Sequence, residues 1–361
     1  MRAKLVLIPL AVAALLVGTA AAHSISGSGG VRTLRTGTHV FGLAADGSRV
    51  AVSTACGAHV YELYAWNPLR RSVVSMAPRR QRKCYGASTG EGIWEQSIAG
   101  QQLAWVPFAG GNDREQWLVT ATTGSPRSTT RLVEERSHST DGVVGDWVGN
   151  VYGDGPLLVF NTWSVCDTDS NSYHCPEGTP PGLHIYNENL WRIVGRHKRL
   201  LLASPDELTV LSVSAGRILV QRADGSLELR RGTDGSVVRS FPFGPDEVQG
   251  AVLDSSELVV LHRSQQRRLT WRVIDPVSGA ERVLNAQAGA TPADVERGLL
   301  VYTYARAVYV LWLADGHRRR FTTPRGSYPY AQIEPSGLFY SYSVKREGRV
   351  RFVPFHQIGL G

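Results

Sequence analysis

In the segment GEGIWEQ, Glu91 and Glu95 flank Trp94, and in GDWVGN Asp146 precedes Trp147. Paired carboxylates are the working groups of glycoside hydrolysis, one protonating the leaving oxygen while the other attacks or activates water. An aromatic ring beside them offers a sugar a stacking surface. Glu91, Glu95 and Asp146 therefore define a polysaccharide-active reading, a hydrolase or lyase, which requires the three to converge within about a nanometre. The competing reading gives Trp94 and Trp147 to packing between sheets, where large aromatics bury most area. No His-Glu-x-x-His pair or phosphate-cradling glycine loop occurs, and the letters Gly-x-Ser-x-Gly are met only in GASTG, Gly86 to Gly90, without the helix that a nucleophile elbow opens, so no other catalytic centre is suggested in a recognisable form and no cofactor is expected.

A second concentration of chemistry lies in WSVCDTDSNSYHCPEGTPPG. Asp167, Asp169 and Asn171 stand at alternate positions, as the first ligands of a calcium loop do, but Ser172 stands where the loop needs glycine and Gly178 where it needs a bidentate glutamate. Calcium is a weak candidate there. Cys166, His174 and Cys175 could hold zinc, yet no fourth ligand is near, and two cysteines in an oxidising compartment favour a disulfide. With Tyr173 and His174, the residues Asp167, Asp169 and Asn171 join Trp94 and Trp147 as a candidate binding surface.

These segments need elements to position them. The chain opens with Arg2 and Lys4, then an apolar run ending in Ala20, Ala21 and Ala22, the pattern of a secretory signal cleaved after Ala22. The alternative is an uncleaved membrane anchor, for which the run is near the short limit. Residues 23–30 read as a flexible lead-in, and 31–361 as one domain. Lys and Arg number 39 against 31 Asp and Glu, and without Arg2 and Lys4 the balance is 37 to 31. The basic clusters PRRQRK, GRHKRL and HRRR read as solvated turns rather than a nucleic-acid surface. An exported monomer, binding a protein or a cell-envelope polysaccharide, fits this composition.

Downstream of His39 there is almost no helical period. In ADGSLELRRGTDGSVVRSF, Asp-Gly-Ser occurs twice, ten residues apart, and each copy is turn chemistry between short strands. Leu227, Leu229, Val237 and Phe241 fall on odd positions and define an apolar face, with Glu228 and Arg230 on the other. Comparable alternating segments recur as SRVAVST, QLAWVPF, PLLVFNT, GRILVQR, ELVVLHR, GLLVYTY and GLFYSYS, the last spacings being about forty residues, the length of a four-stranded propeller blade. The expected fold is all-β, a seven-bladed β-propeller of four-stranded blades. Because the seventh unit supplies three strands, GVRTLRTG near the N-terminus is expected to add the fourth and close the ring. A six-bladed ring and a β-sandwich are the alternatives.

The stretch LAADGSRVAVSTACGAHVYELYAWNP resembles the repeat of TolB-like, WD-type propeller families, in which a small residue, Asp-Gly and a basic residue precede the second strand. DPVSGAERVL is similar to their third-to-fourth-strand turn, whereas no Trp-Asp dipeptide occurs and IEPSGLFYSY lacks the Asp-Gly. The resemblance implies a propeller that presents loops for binding, and it names no partner. Four cysteines admit three pairings. In a propeller the second-to-third-strand loop and the connection between blades open on one face, which favours Cys56 with Cys84 and Cys166 with Cys175, stapling two long loops on that face. The function expected is a non-enzymatic binding scaffold.

Overall fold

The structure, a computed structural model, describes residues 24–27, 30–54, 60–76, 79–80, 90–110, 113–138, 144–169, 175–325, 327–345 and 347–359. The N-terminal apolar run, Cys56, Cys84, Asn171, Tyr173 and His174 lie outside these residues. Among the described residues no helix is long and apolar enough to cross a membrane. The chain is all-β, and the only helix among the described residues is the single turn Phe355–Ile358.

The strands assemble into antiparallel units in chain order. Four units are separate four-stranded sheets, beginning with Val40–Asp46, Leu208–Ser214, Val248–Leu253 and Thr291–Glu296. The two units that begin with Gly90–Ala99 and Gly145–Asp154 are fused into one eight-stranded sheet. Fusion follows from length: the fourth strand Ser125–His138 runs for 14 residues, so that Ser137 pairs with Gly145 of the next unit. The last unit begins with Ala331–Glu334 and continues through Gly337–Val344 and Glu347–Pro354. Its next strand is Arg32–Thr36, with Leu34 opposite Val350, so both ends of the described chain share one sheet.

The first strands of the units touch in sequence, and Ala331–Glu334 touches Val40–Asp46 in turn, giving a propeller-like arrangement around a central channel. The core lies between the sheets. Trp66, Val50 and Val52 meet Leu34, Phe339 and Phe352 across one interface, while Leu158 and Phe160 meet Val106 and Leu118 across another. A second strand is thereby covered on both faces, so that Arg49–Thr54 and Leu157–Asp167, expected to alternate, are buried at nearly every position.

The hairpin with the paired Asp-Gly-Ser copies departs from its expected faces. Leu227 pairs with Phe241 and Leu229 with Arg239, but the register shifts before Arg230, which pairs with Val237. The extra residue turns Val237 outward, 46% exposed, and buries Arg230. Arg230 then donates to Glu228 at 2.8 Å and to the Gly235 carbonyl at 2.7 Å, so its charge is satisfied where it is buried. Both turns form as expected: the Asp224 and Asp234 carboxylates each accept from the backbone N–H of the serine two residues on, at 2.9 Å.

Candidate functional site

Six of the seven inner strands share an irregularity that alternation alone does not reveal. Each carries extra residues where it pairs with its second strand, between Val40 and Gly42, around Trp94, between Val148 and Val151, between Val210 and Ser212, between Val248 and Ala251, and between Pro292 and Asp294. A β-bulge reverses which parity of side chain faces the channel. In the second unit Phe108 opposes Gly92 and Val106 opposes Glu95, whereas Ala109 opposes Glu91. Paired residues share a face, so the bulge puts Glu95 and Glu91 on opposite faces of one strand. Asp146, in the third unit, accepts a hydrogen bond from Ser164 Oγ at 2.6 Å.

Glycine marks some of these bulges. A Cβ at Gly42 would lie 2.2 Å from the Gln96 side chain, and one at Gly149 would strike Trp163 at 1.8 Å. That close approach is the signal by which the bulges could have been found in the sequence.

Trp94 and Trp147 do come together, with ring centroids 6.3 Å apart. Phe108 meets Trp94 edge-on at 6.4 Å, and the Arg114 guanidinium lies 5.7 Å from both indoles and 5.2 Å from Phe108. Nothing in the spacing of the sequence singled out Arg114. Its planar cation fixes three rings by cation–π attraction, so the two tryptophans have a structural task within the unit interface.

The channel is a cavity of about 250 Å³ to which all seven inner strands contribute. Its two ends differ in chemistry. At the end where inner strands finish, carboxylates bind backbone N–H groups of neighbouring units. Asp46 accepts from Gly155 at 3.0 Å and also from Gly100, Asp154 from Ala215 at 2.6 Å, and Asp254 from Arg297 at 3.0 Å. Asp294 accepts from Ile333 at 3.0 Å and Glu334 from Gly47 at 2.8 Å. Ligand oxygens of Asp46, Asp154 and Glu334 come within 4.8 Å of one another. Burial pushes Asp154, Asp294 and Glu334 above the ordinary carboxylate range, and the Asp294 charge raises Glu334 further. Each of these carboxylates already holds a backbone amide, so their arrangement is explained as stapling between units.

Toward the other end, Phe41, Leu43, Trp94, Glu95, Gln96 and Tyr330 line a second cavity of about 230 Å³. Here burial alone pushes half-buried Glu95 up to about 7. Among the described residues Glu95 has neither a hydrogen-bond donor nor an ion-pair partner. The Gln96 side-chain oxygen, which is buried, lacks a partner among them as well.

The long loop of the third unit lies at this same end, because its second strand runs antiparallel to the inner strand and finishes where that strand starts. The Cys166–Cys175 disulfide is present, with Cα atoms 5.2 Å apart. Asp167 accepts from the backbone N–H of Asp169 at 3.0 Å, so the alternate acidic spacing there forms an Asx turn. Gly182 N–H donates to Thr168 Oγ1 at 2.6 Å and pins the far side of the loop. Beyond Cys175, Pro176, Glu177 and Pro180 form one wall of a cavity of about 670 Å³, whose other side includes Tyr186, Asp206 and Glu207. His184, which borders it, was not picked out by the sequence pattern; it pairs with Cys166 across the sheet.

No protein-family model matches the chain, and no curated protein matches it in sequence. Among solved structures, the WD40 beta propeller domain of Doa1 is 12% identical with a TM-score of 0.48, covering 94% of this chain and 99% of its own. The computationally designed Ika8 protein is 12% identical with a TM-score of 0.46, covering 88% of this chain and 98% of its own. At that distance neither carries an argument, and the propeller-like arrangement stands on the strand pairings and the cycle of inner strands.

Proposed function

We propose that this protein is an exported, non-enzymatic seven-bladed β-propeller, closed by Arg32–Thr36 in its last blade, that acts as a binding scaffold. Seven core clusters, one between each pair of successive units, support the blade count. The repeat resemblance to TolB-like propellers belongs to the same reading. Export rests on the N-terminal apolar run and on the disulfide.

The observation that carries the binding role is the groove beside Cys166–Cys175. A disulfide fixes one wall, prolines stiffen it, and Glu177, Asp206 and Glu207 give an acidic lining on a chain whose net charge is +8. Such a groove favours a basic protein segment, with an envelope glycan as the other partner class. The separation of Glu91 from Glu95 speaks for binding over cleavage, since the catalytic pair would have to share a face.

The test is binding of the oxidised protein to envelope extract and to a panel of envelope polysaccharides, with released reducing sugar assayed in the same wells. Retention that is lost in the variant Glu177→Lys, Glu207→Lys, without sugar release, is the expected result. Sugar release abolished by Glu91→Gln would replace the scaffold with an enzyme.

A further inference from the structure

The cavity around Glu95 has a composition that selects its occupant. Its lining supplies three aromatic rings, a carboxylate and an amide oxygen, and no Lys, Arg or His. Two of the rings are left bare to solvent, Phe41 at 41% and Tyr330 at 43% exposure. The third, Trp94, is held in place by Phe108, Trp147 and Arg114. A carboxylate drawn partly out of water is costly unless something donates to it, and every channel carboxylate at the opposite end has a donor. Half-buried Glu95 has no donor among the described residues, and neither has the buried Gln96 oxygen.

We infer that this cavity binds an organic cation, a protonated amine whose N–H groups donate to Glu95 while its apolar carbons lie against Phe41, Trp94 and Tyr330. Aromatic faces attract cations and tolerate hydrocarbon, and the carboxylate supplies the countercharge. An anion is excluded by the same lining. The inference does not depend on the groove beside the disulfide, which lies on another unit.

The charge state of Glu95 makes the idea testable. Around it, Val40–Asp46 presents Phe41, Gly42 and Leu43, and the paired second strand presents Val106, none of them titratable. Tyr152, from the third unit, and Tyr330, from the last, are both raised, by burial first and further by the Glu95 charge. Those phenols stay neutral across the neutral range; the raised carboxyls of Asp154, Asp294 and Glu334 line the channel beyond Glu95, and the Glu95→Gln variant separates the Glu95 charge from theirs.

The experiment is ligand-observed NMR titration of the oxidised full-length protein with n-butylammonium chloride, and with n-butanol as the uncharged analogue. Near pH 8, where a carboxyl of this pKa is ionised, butylammonium binds at least about tenfold more tightly than butanol, and the advantage disappears near pH 5.5. Glu95→Gln, which keeps the shape, gives both probes equal affinity at either pH. Phe41→Ala weakens both. The inference is overturned if wild type binds the two probes equally near pH 8, if neither shows saturable binding, or if Glu95→Gln retains the preference for the cation. Binding of a neutral disaccharide at the same cavity, unaffected by pH, would overturn it as well and assign the cavity to glycan.

Discussion

The two ends of the central channel use the same side-chain type for opposite purposes. At the end where inner strands finish, Asp46, Asp254 and Glu334 are buried and Asp154 and Asp294 half-buried, and each accepts an N–H from another unit. At the other end Glu95 is half-buried and accepts nothing among the described residues. A carboxylate drawn from water with an amide donor is part of the frame; one without it carries a cost that a donating partner relieves. The difference traces to backbone geometry. Asp46, Asp154, Asp254 and Glu334 sit where inner strands end, beside N–H groups of other units, and Asp294, which follows a bulge within Thr291–Glu296, is reached by the Ile333 N–H; Glu95 follows a bulge within Gly90–Ala99, and among the described residues no such N–H reaches it.

The comparison can be broken first at Asp46. Asp46→Ala strips donors Gly100 and Gly155 of their acceptor and should lower unfolding stability by about 4 kcal/mol in urea titration, since two charge-assisted bonds are lost. A loss under about 1 kcal/mol would mean that the strand-end carboxylates do not hold the units together.

Glu95→Gln should act in the opposite direction. The carboxyl's folded-state pKa is raised from 4.5 to about 7, so the folded protein holds a proton that the unfolded chain gives up between those values. Wild-type stability contributed by that proton is complete below about pH 4.5 and is lost as pH rises through about 7. The amide variant should therefore be more stable by up to about 3 kcal/mol near pH 8 and equal to wild type near pH 4.5, with thermal melts at both values as the check. Equal melts near pH 8 would show that Glu95 has an unrecognised donor. The raised carboxyls of Asp294 and Glu334 have the same sign, so the wild-type melting temperature should fall from mildly acidic toward alkaline pH, and less steeply in Glu95→Gln.

Arg114→Met sharpens the contrast at the aromatic end. It removes the cation shared by Trp94, Phe108 and Trp147 at a cost of about 2 kcal/mol, and the near-ultraviolet circular dichroism of the indoles should weaken with it. An unchanged spectrum would free the tryptophans from the structural task assigned to them. Glu134→Gln is the smallest effect. Its partner Arg131 lies 2.8 Å away at the surface, both side chains being well exposed, so the change should stay below about 0.5 kcal/mol and disappear in salt.

Much of the frame was legible because it is local. The Asp-Gly-Ser copies announced their turns through an Asx bond spanning two residues. The second strands announced themselves as short alternating segments between turns. GVRTLRTG could be matched to the last unit because a sheet edge needs a partner. The disulfide Cys166–Cys175 was favoured once the propeller reading placed both cysteines in one expanded loop of the third unit.

The site was legible only in its residue types. Glu95 and Trp94 stood out as chemistry-bearing, but whether Glu95 converges with Glu91 was not legible, since a separation of four residues puts two side chains on one face only in a strand without a bulge. A single bulge reversed that, just as another turned Val237 outward and Arg230 inward. A bulge adds one residue to a register that is defined only by the partner strand, so no count along one strand reveals it. Phe41, Tyr330 and Arg114 are separated in sequence from Glu95 by stretches that carry no mark of their meeting. The sequence by itself determined that the chain folds into repeated antiparallel units and which turns connect them, because those preferences act within a few residues. Only the tertiary structure decided which carboxylates meet an amide and which is left facing a cavity, because that depends on the neighbouring unit's backbone.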